Sequence, residues 1–189
     1  DLTQSLYDKI ADALVEQGYI ILPSALPESL GHALRQHLQA MDDEQFRRAG
    51  IGREQDHQLH GEIRRDQIRW LSHQSLIEAQ YLRWMNDLRE GLNRRLFMGL
   101  FDYEAHFAHY PEGAFYKRHL DAFRGQTNRV LTTVFYLNPD WQPELGGELL
   151  IWPTHDSEEV VEKVVPQMGT LVVFLSERFP HEVLPARAD

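Results

Sequence analysis

The chain has 189 residues, 42% of them hydrophobic and 25% charged, which supplies enough apolar material for one domain with a real core. A net charge of −10 argues against binding to a nucleic-acid backbone or an anionic membrane, since either would repel it. The absence of cysteine excludes disulfides, thiolate metal sites and cysteine nucleophiles, and fits a cytoplasmic protein.

In chain order, the first half reads as helical. "TQSLYDKIADALVEQG" places Leu6, Ile10 and Leu14 four apart on one face, and Gly18 follows as a stop. "YIILP" is a short apolar strand. "PESLGHALRQHLQAMDD" opens on Pro27 and Glu28, good first-turn residues, and repeats Leu30, Leu34 and Leu38. A second long helix is predicted over "SLIEAQYLRWMNDLREGLNRRLF", with a stripe of Leu76, Leu82, Met85, Leu88 and Leu92. Between these helices lies a polar, Gly-punctuated stretch too long for a plain connector. It ends in "EIRRDQIRWL", a predicted strand with Ile63, Ile68 and Trp70 as apolar members.

From residue 101 the texture becomes β. "YEAHFAHY", "FYKRHLD", "RVLTTVFYLN", "GELLIWP", "VEKVVP", "TLVVFL" and "HEVLP" are short runs separated by the turn signals "PEG", "NPDW", "ELGG" and "PQMG". Helices first and antiparallel strands afterwards predict an α+β domain with the helices bracing a sandwich or barrel.

Within this β half, His119 and Asp121 are two apart, so a strand would turn both to one face. His181, at the head of the last strand, is a candidate third ligand. Two His and one carboxylate on one side of a metal form the facial triad of non-haem Fe(II) oxygenases, whose remaining positions are open. On residue spacing alone, polar residues on the wet face of a sheet are the competing reading.

The flanking sequence carries a resemblance. "IRRDQIRWL", "HYPEGAFYKRHLD", "RVLTTVFYLNPDW", "GGELLIWP" and "FPHEVLPA" occur in the order and spacing of the 2-oxoglutarate- and Fe(II)-dependent prolyl hydroxylases. Residues 61 to 189 resemble most the oxygen-sensing hydroxylases that act on hypoxia-inducible transcription factors, and their bacterial relatives. The resemblance implies an α+β double-stranded β-helix of jelly-roll or cupin-like form, braced by N-terminal helices. It implies a single domain over 1–189, with mainly helical support over 1–100 and the jelly-roll core over 101–189. A mobile lid is expected at about 49–67, from Ala49 to Gln67.

Carried over by position, the resemblance makes His119, Asp121 and His181 the iron ligands, with no further side chain acting as acid or base. Tyr136 matches a tyrosine that hydrogen-bonds 2-oxoglutarate, and Tyr110 one that lines the same pocket. Leu149 and Val183 match pocket walls, and Arg129 an arginine at the substrate entrance. The implied cofactors are Fe(II), the cosubstrate 2-oxoglutarate and O2. The implied activity is C4 hydroxylation of a prolyl residue in a protein or peptide, with no nucleic-acid or membrane partner. The family also places a basic residue nine positions after the distal His, to anchor 2-oxoglutarate. That position falls just past Asp189, and Arg187 has the wrong spacing, so the natural chain is expected to continue with this residue and a last barrel strand.

Overall fold

The computed structural model describes residues 2–48, 63–97, 99, 103–121 and 130–189. Its first element, α1 (Leu2–Glu16), buries Tyr7, Ile10, Ala11 and Leu14. It stops where the Gln17 and Gly18 amides both close on the Ala13 carbonyl, at 2.8 and 3.0 Å. Gly18 has φ +90°, and a Cβ there would meet Phe179 at 2.8 Å, so the stop needs glycine for conformation and for space. β1 (Tyr19–Leu22) follows, then α2 (Glu28–Gln39), whose Leu30 and Leu34 are buried as the four-residue spacing predicts.

The long helix α3 (Leu76–Leu96) begins at Ser75, whose hydroxyl accepts the Glu78 amide. Its stripe is as predicted at Leu82, Met85, Leu88 and Leu92, but Leu76, the first residue of the helix, is exposed. Arg95 reaches back to Asp8 at 2.6 Å and ties α3 to α1. The interior of Glu78 is less expected. This fully buried carboxylate receives His37 at 2.6 Å, Arg69 at 3.0 Å and the Ser72 amide at 3.0 Å, joining α2, α3 and the strand carrying Arg69.

Three antiparallel sheets are formed among the described residues. β2 (Arg47–Arg48), β3 (Gln67–Trp70) and β4 (His106–His109) make one. Of the apolar residues expected on the β3 segment only Ile68 is buried; Ile63 and Trp70 are largely exposed, Trp70 resting edge-on against His106. The other two sheets face each other as a double-stranded β-helix. One has the order β1, β9 (Leu171–Leu175), β6 (Leu131–Phe135). The other runs β5 (Tyr116–His119), β10 (His181–Val183), β7 (Leu149–Ile151), β8 (Glu162–Val164).

β9 explains the architecture. It pairs with β1 on one side and β6 on the other, and both its faces are covered. Leu171 and Val173 join the core under the helices, with Ile10, Leu34, Met85 and Leu88. Val172 and Phe174 turn the other way, into the barrel, against Leu149, Ile151, Val164 and Phe179. A strand buried on both faces has to read as an unbroken apolar run, and "LVVFL" does. The helical half thus braces the back of one sheet and also lends it an edge strand, β1. No described helix is long and apolar enough to cross a membrane.

Candidate metal centre

His119 and His181 sit directly opposite each other in the β5–β10 pair. Asp121 lies just beyond the end of β5 rather than in it, so the strand delivers His119 and the exit from the strand delivers the carboxylate. One ligand atom from each of the three comes within 4.8 Å of the others. The Nε2 atoms of His119 and His181 stand 3.5 and 3.4 Å from the same oxygen, Oδ1 of Asp121.

The hydrogen bonds settle which nitrogens face inward. Nδ1 of His119 donates to the Lys117 carbonyl at 2.7 Å, and Nδ1 of His181 donates to the Phe179 carbonyl at 3.1 Å. A carbonyl can only accept, so Nδ1 carries a proton in each ring and Nε2 is the nitrogen turned toward Asp121 and available to a metal. Two imidazole nitrogens and a carboxylate oxygen therefore converge on one point, a donor set suited to a divalent cation. Nitrogen and oxygen ligands bind a divalent ion at about 2.0–2.2 Å, which puts neighbouring donors about 3 Å apart. The two histidine-to-carboxylate separations are slightly wider than that, so these donors suit a divalent ion.

The rings are held from behind. Phe174 meets His181 edge-on with centroids 4.8 Å apart. Tyr116 stacks on His119 at 3.6 Å with 8° between planes. Residues three apart in a regular strand would face opposite ways; here a bulge in the β5–β10 ladder, between the His181 and Val183 positions, brings both rings to one face. Above the other face of Tyr116 lies the Arg64 guanidinium, 4.2 Å from the ring centroid. Arg64 is fixed in turn by two 2.8 Å bonds to the fully buried Asp66.

A cavity of about 1570 Å³ opens over the triad, and Tyr110, Tyr136, Leu149 and Val183 all line it. Burial pushes the Tyr136 hydroxyl well above the ordinary tyrosine value, and Tyr110 is raised by burial and by nearby Asp66. Both phenols stay protonated and can donate. Every expected site residue but one is thereby brought to the same cavity; Arg129, and 49–62 of the expected lid, lie outside the described residues. Arg187 is exposed, and its amide donates to the Leu145 carbonyl at 2.7 Å.

Sequence reasoning missed Arg64, Tyr116, Thr132 and Ser176. Thr132 was within reach: with Tyr136 assigned to the pocket, strand alternation puts Thr132 on the same face. Tyr116 was not, because the bulge that turns it toward His119 leaves no mark in the residue types.

An iron-binding barrel of this kind defines a class, and residues 105–189 match the 2OG-Fe(II) oxygenase superfamily. The whole chain aligns with 81% of prolyl hydroxylase EGLN3 from Mus musculus at 31% identity. Among solved structures, a Pseudomonas putida prolyl-4-hydroxylase superposes with a TM-score of 0.82 at 42% identity, covering 97% of this chain and 93% of that one. A Trichoplax adhaerens prolyl hydroxylase, solved with a hypoxia inducible factor peptide fragment, gives a TM-score of 0.79 at 27% identity, over 99% of this chain and 86% of the other. The chain belongs to the prolyl hydroxylase family of 2-oxoglutarate- and Fe(II)-dependent oxygenases. It is a dioxygenase that uses Fe(II), 2-oxoglutarate and O2.

Proposed function

We propose that this enzyme hydroxylates C4 of a prolyl residue in a protein or peptide, at a metal held by His119, Asp121 and His181. The observation that carries the assignment is the convergence of two Nε2 atoms on one carboxylate oxygen, 3.5 and 3.4 Å away. Bound iron, with 2-oxoglutarate and O2, supplies the oxidising chemistry: 2-oxoglutarate becomes succinate and CO2, one oxygen atom entering succinate and the other the substrate C–H bond.

The chain's own groups do the positioning. Tyr136 donates its hydroxyl to the distal carboxylate of 2-oxoglutarate, a role supported by its place on the cavity wall and its raised pKa. Tyr110 lines the same pocket, and Leu149 and Val183 wall it with apolar surface that keeps bulk water from the reacting centre. Arg129 contacts the substrate at the entrance, and of the segment expected as a lid the part before residue 63 covers it, since Arg64, Asp66 and Gln67 are fixed in the fold. Residues 1–100 act as mainly helical support and 101–189 as the barrel of one domain. A cytoplasmic location, and no dealings with nucleic acid or membrane, complete the proposal; the cysteine-free sequence and the charge of −10 support it.

The test is succinate formation by the full-length protein with Fe(II), 2-oxoglutarate and a set of proline-containing peptides, read with mass spectrometry for addition of one oxygen. Hydroxylation of proline is the expected result, lost in His119→Ala and Asp121→Ala. Turnover only on another side chain or a small molecule would overturn the substrate assignment. Full activity in either variant would overturn the metal site.

A further inference from the structure

We propose that Thr132 and Ser176 form a hydroxyl relay that orients the Asp121 carboxylate, so that Oδ1 faces the metal position while Oδ2 is held away from it. The inference rests on the assignment of Asp121 as a ligand and adds to it two positioning residues.

The geometry is a chain of short contacts. Thr132 Oγ1 donates to Asp121 Oδ2 at 2.9 Å. The same Oγ1 lies 2.7 Å from Ser176 Oγ. Asp121 Oδ1, the other oxygen, is the one that faces both histidines. A threonine hydroxyl has one hydrogen, and an ionised carboxylate can only accept. The Thr132 hydrogen is therefore committed to Asp121, and in the second contact Ser176 must donate. Ser176 is fully buried, so no solvent competes for its hydroxyl. Donation from Ser176 polarises the Thr132 hydroxyl and makes it a better donor in turn.

The relay has a mechanical reason. Asp121 lies past the end of β5, beyond the ladder that fixes His119. The hydroxyls instead come from the opposite sheet, where β6 and β9 are locked in register with Thr132 across from Phe174. The Ser176 amide extends that register by donating to the Val130 carbonyl at 3.0 Å. The carboxylate is thus set by the rigid sheet across the barrel rather than by its own strand. A carboxylate free to turn could offer both oxygens to the ion and take up a position that the cosubstrate needs.

The experiment uses metal-free full-length protein titrated with Co(II), with calorimetry for affinity and the visible Co(II) absorption for the ligand field. Thr132→Val should weaken Co(II) binding by about 10–100-fold, and Thr132→Ser should restore it to within about threefold of wild type. The Co(II) spectrum should change in Thr132→Val and return in Thr132→Ser, a response that loss of packing alone would not give. Ser176→Ala should shift both readouts in the same direction by less, and it carries the test if Thr132→Val does not fold. Wild-type affinity and spectrum in Thr132→Val, or in Ser176→Ala where that variant stands alone, overturn the relay. If His119→Ala still loses Co(II) in that case, the metal site itself survives. Failure of the wild-type protein to bind Co(II) overturns the site and the relay together.

Discussion

Replacing Asp66 by Asn probes the support behind His119. Asp66 is fully buried, and each of its oxygens takes a 2.8 Å bond from Arg64. Asn keeps the shape and one acceptor, but it removes the charge and turns an amide NH2 toward a guanidinium NH. Removing one partner of a buried pair costs about 3–5 kcal/mol, because the other charge stays buried without compensation. The Arg64 side chain retains 17% of its exposure, so water recovers part of that loss and the expected cost is near the low end, about 3 kcal/mol. For a chain of this size each kcal/mol moves Tm by about 2–4 °C, giving a fall of about 6–12 °C in Asp66→Asn. Thermal and urea unfolding of the metal-free protein measure it. The paired variant Asp66→Leu with Arg64→Leu should recover much of the loss, since no charge is then stranded. A cost below about 1 kcal/mol in Asp66→Asn, or a paired variant no more stable than the single one, would refute the reasoning.

Three further outcomes are expected. Tyr136→Phe should raise the KM for 2-oxoglutarate by about 10–100-fold, the loss of one hydrogen bond to a charged group, with little change in Tm; steady-state kinetics against 2-oxoglutarate check it. Burial tends to raise the Glu78 pKa, but hydrogen bonds from His37, the Ser72 amide and Arg69 outweigh it and hold the carboxyl below the usual range. Its contribution is complete above the unfolded-state value and is lost as pH falls through the lowered folded value, so wild type should lose more stability than Glu78→Gln between about pH 5 and pH 3 in acid titrations of unfolding. Gly91→Ala should destabilise the protein by about 1–3 kcal/mol although alanine is the better helix former, because overpacking outweighs propensity. The added Cβ would lie 2.5 Å from the Tyr7 ring where α1 crosses α3, and urea unfolding would expose the opposite sign if the ring simply moved aside.

Much of this architecture can be read from residue types, and the exceptions have physical causes. The strands from "HFAH" to "HEV" were legible because turn residues bracket each one, and β9 because only a strand covered on both faces tolerates "LVVFL". The candidate ligands His119, Asp121 and His181 stood out because specific flanking sequence surrounds each. What escaped was set by contacts between distant segments. The burial of Glu78 depends on His37 and Arg69 arriving from other elements, and a glutamate in a helix reads as solvent-facing until they do. Trp70 shares a strand face with the buried Ile68 yet is half exposed at the last position of β3, and Ile63 lies before the strand begins, positional effects that alternation does not register. Tyr116 was hidden by a register shift that a spacing rule assumes away.

The direct pairing of His119 with His181 has a thermodynamic consequence. An ion held by both would act as a crosslink between β5 and β10, segments far apart in the chain but adjacent in the sheet. Because the unfolded chain would not present the two rings together, loading the site would also favour the folded state, by about 2.7 kcal/mol at a free ion concentration one hundred times Kd. Iron supply would then govern how long the barrel survives as well as how fast it turns over, and chelation would shorten its lifetime against heat and proteases.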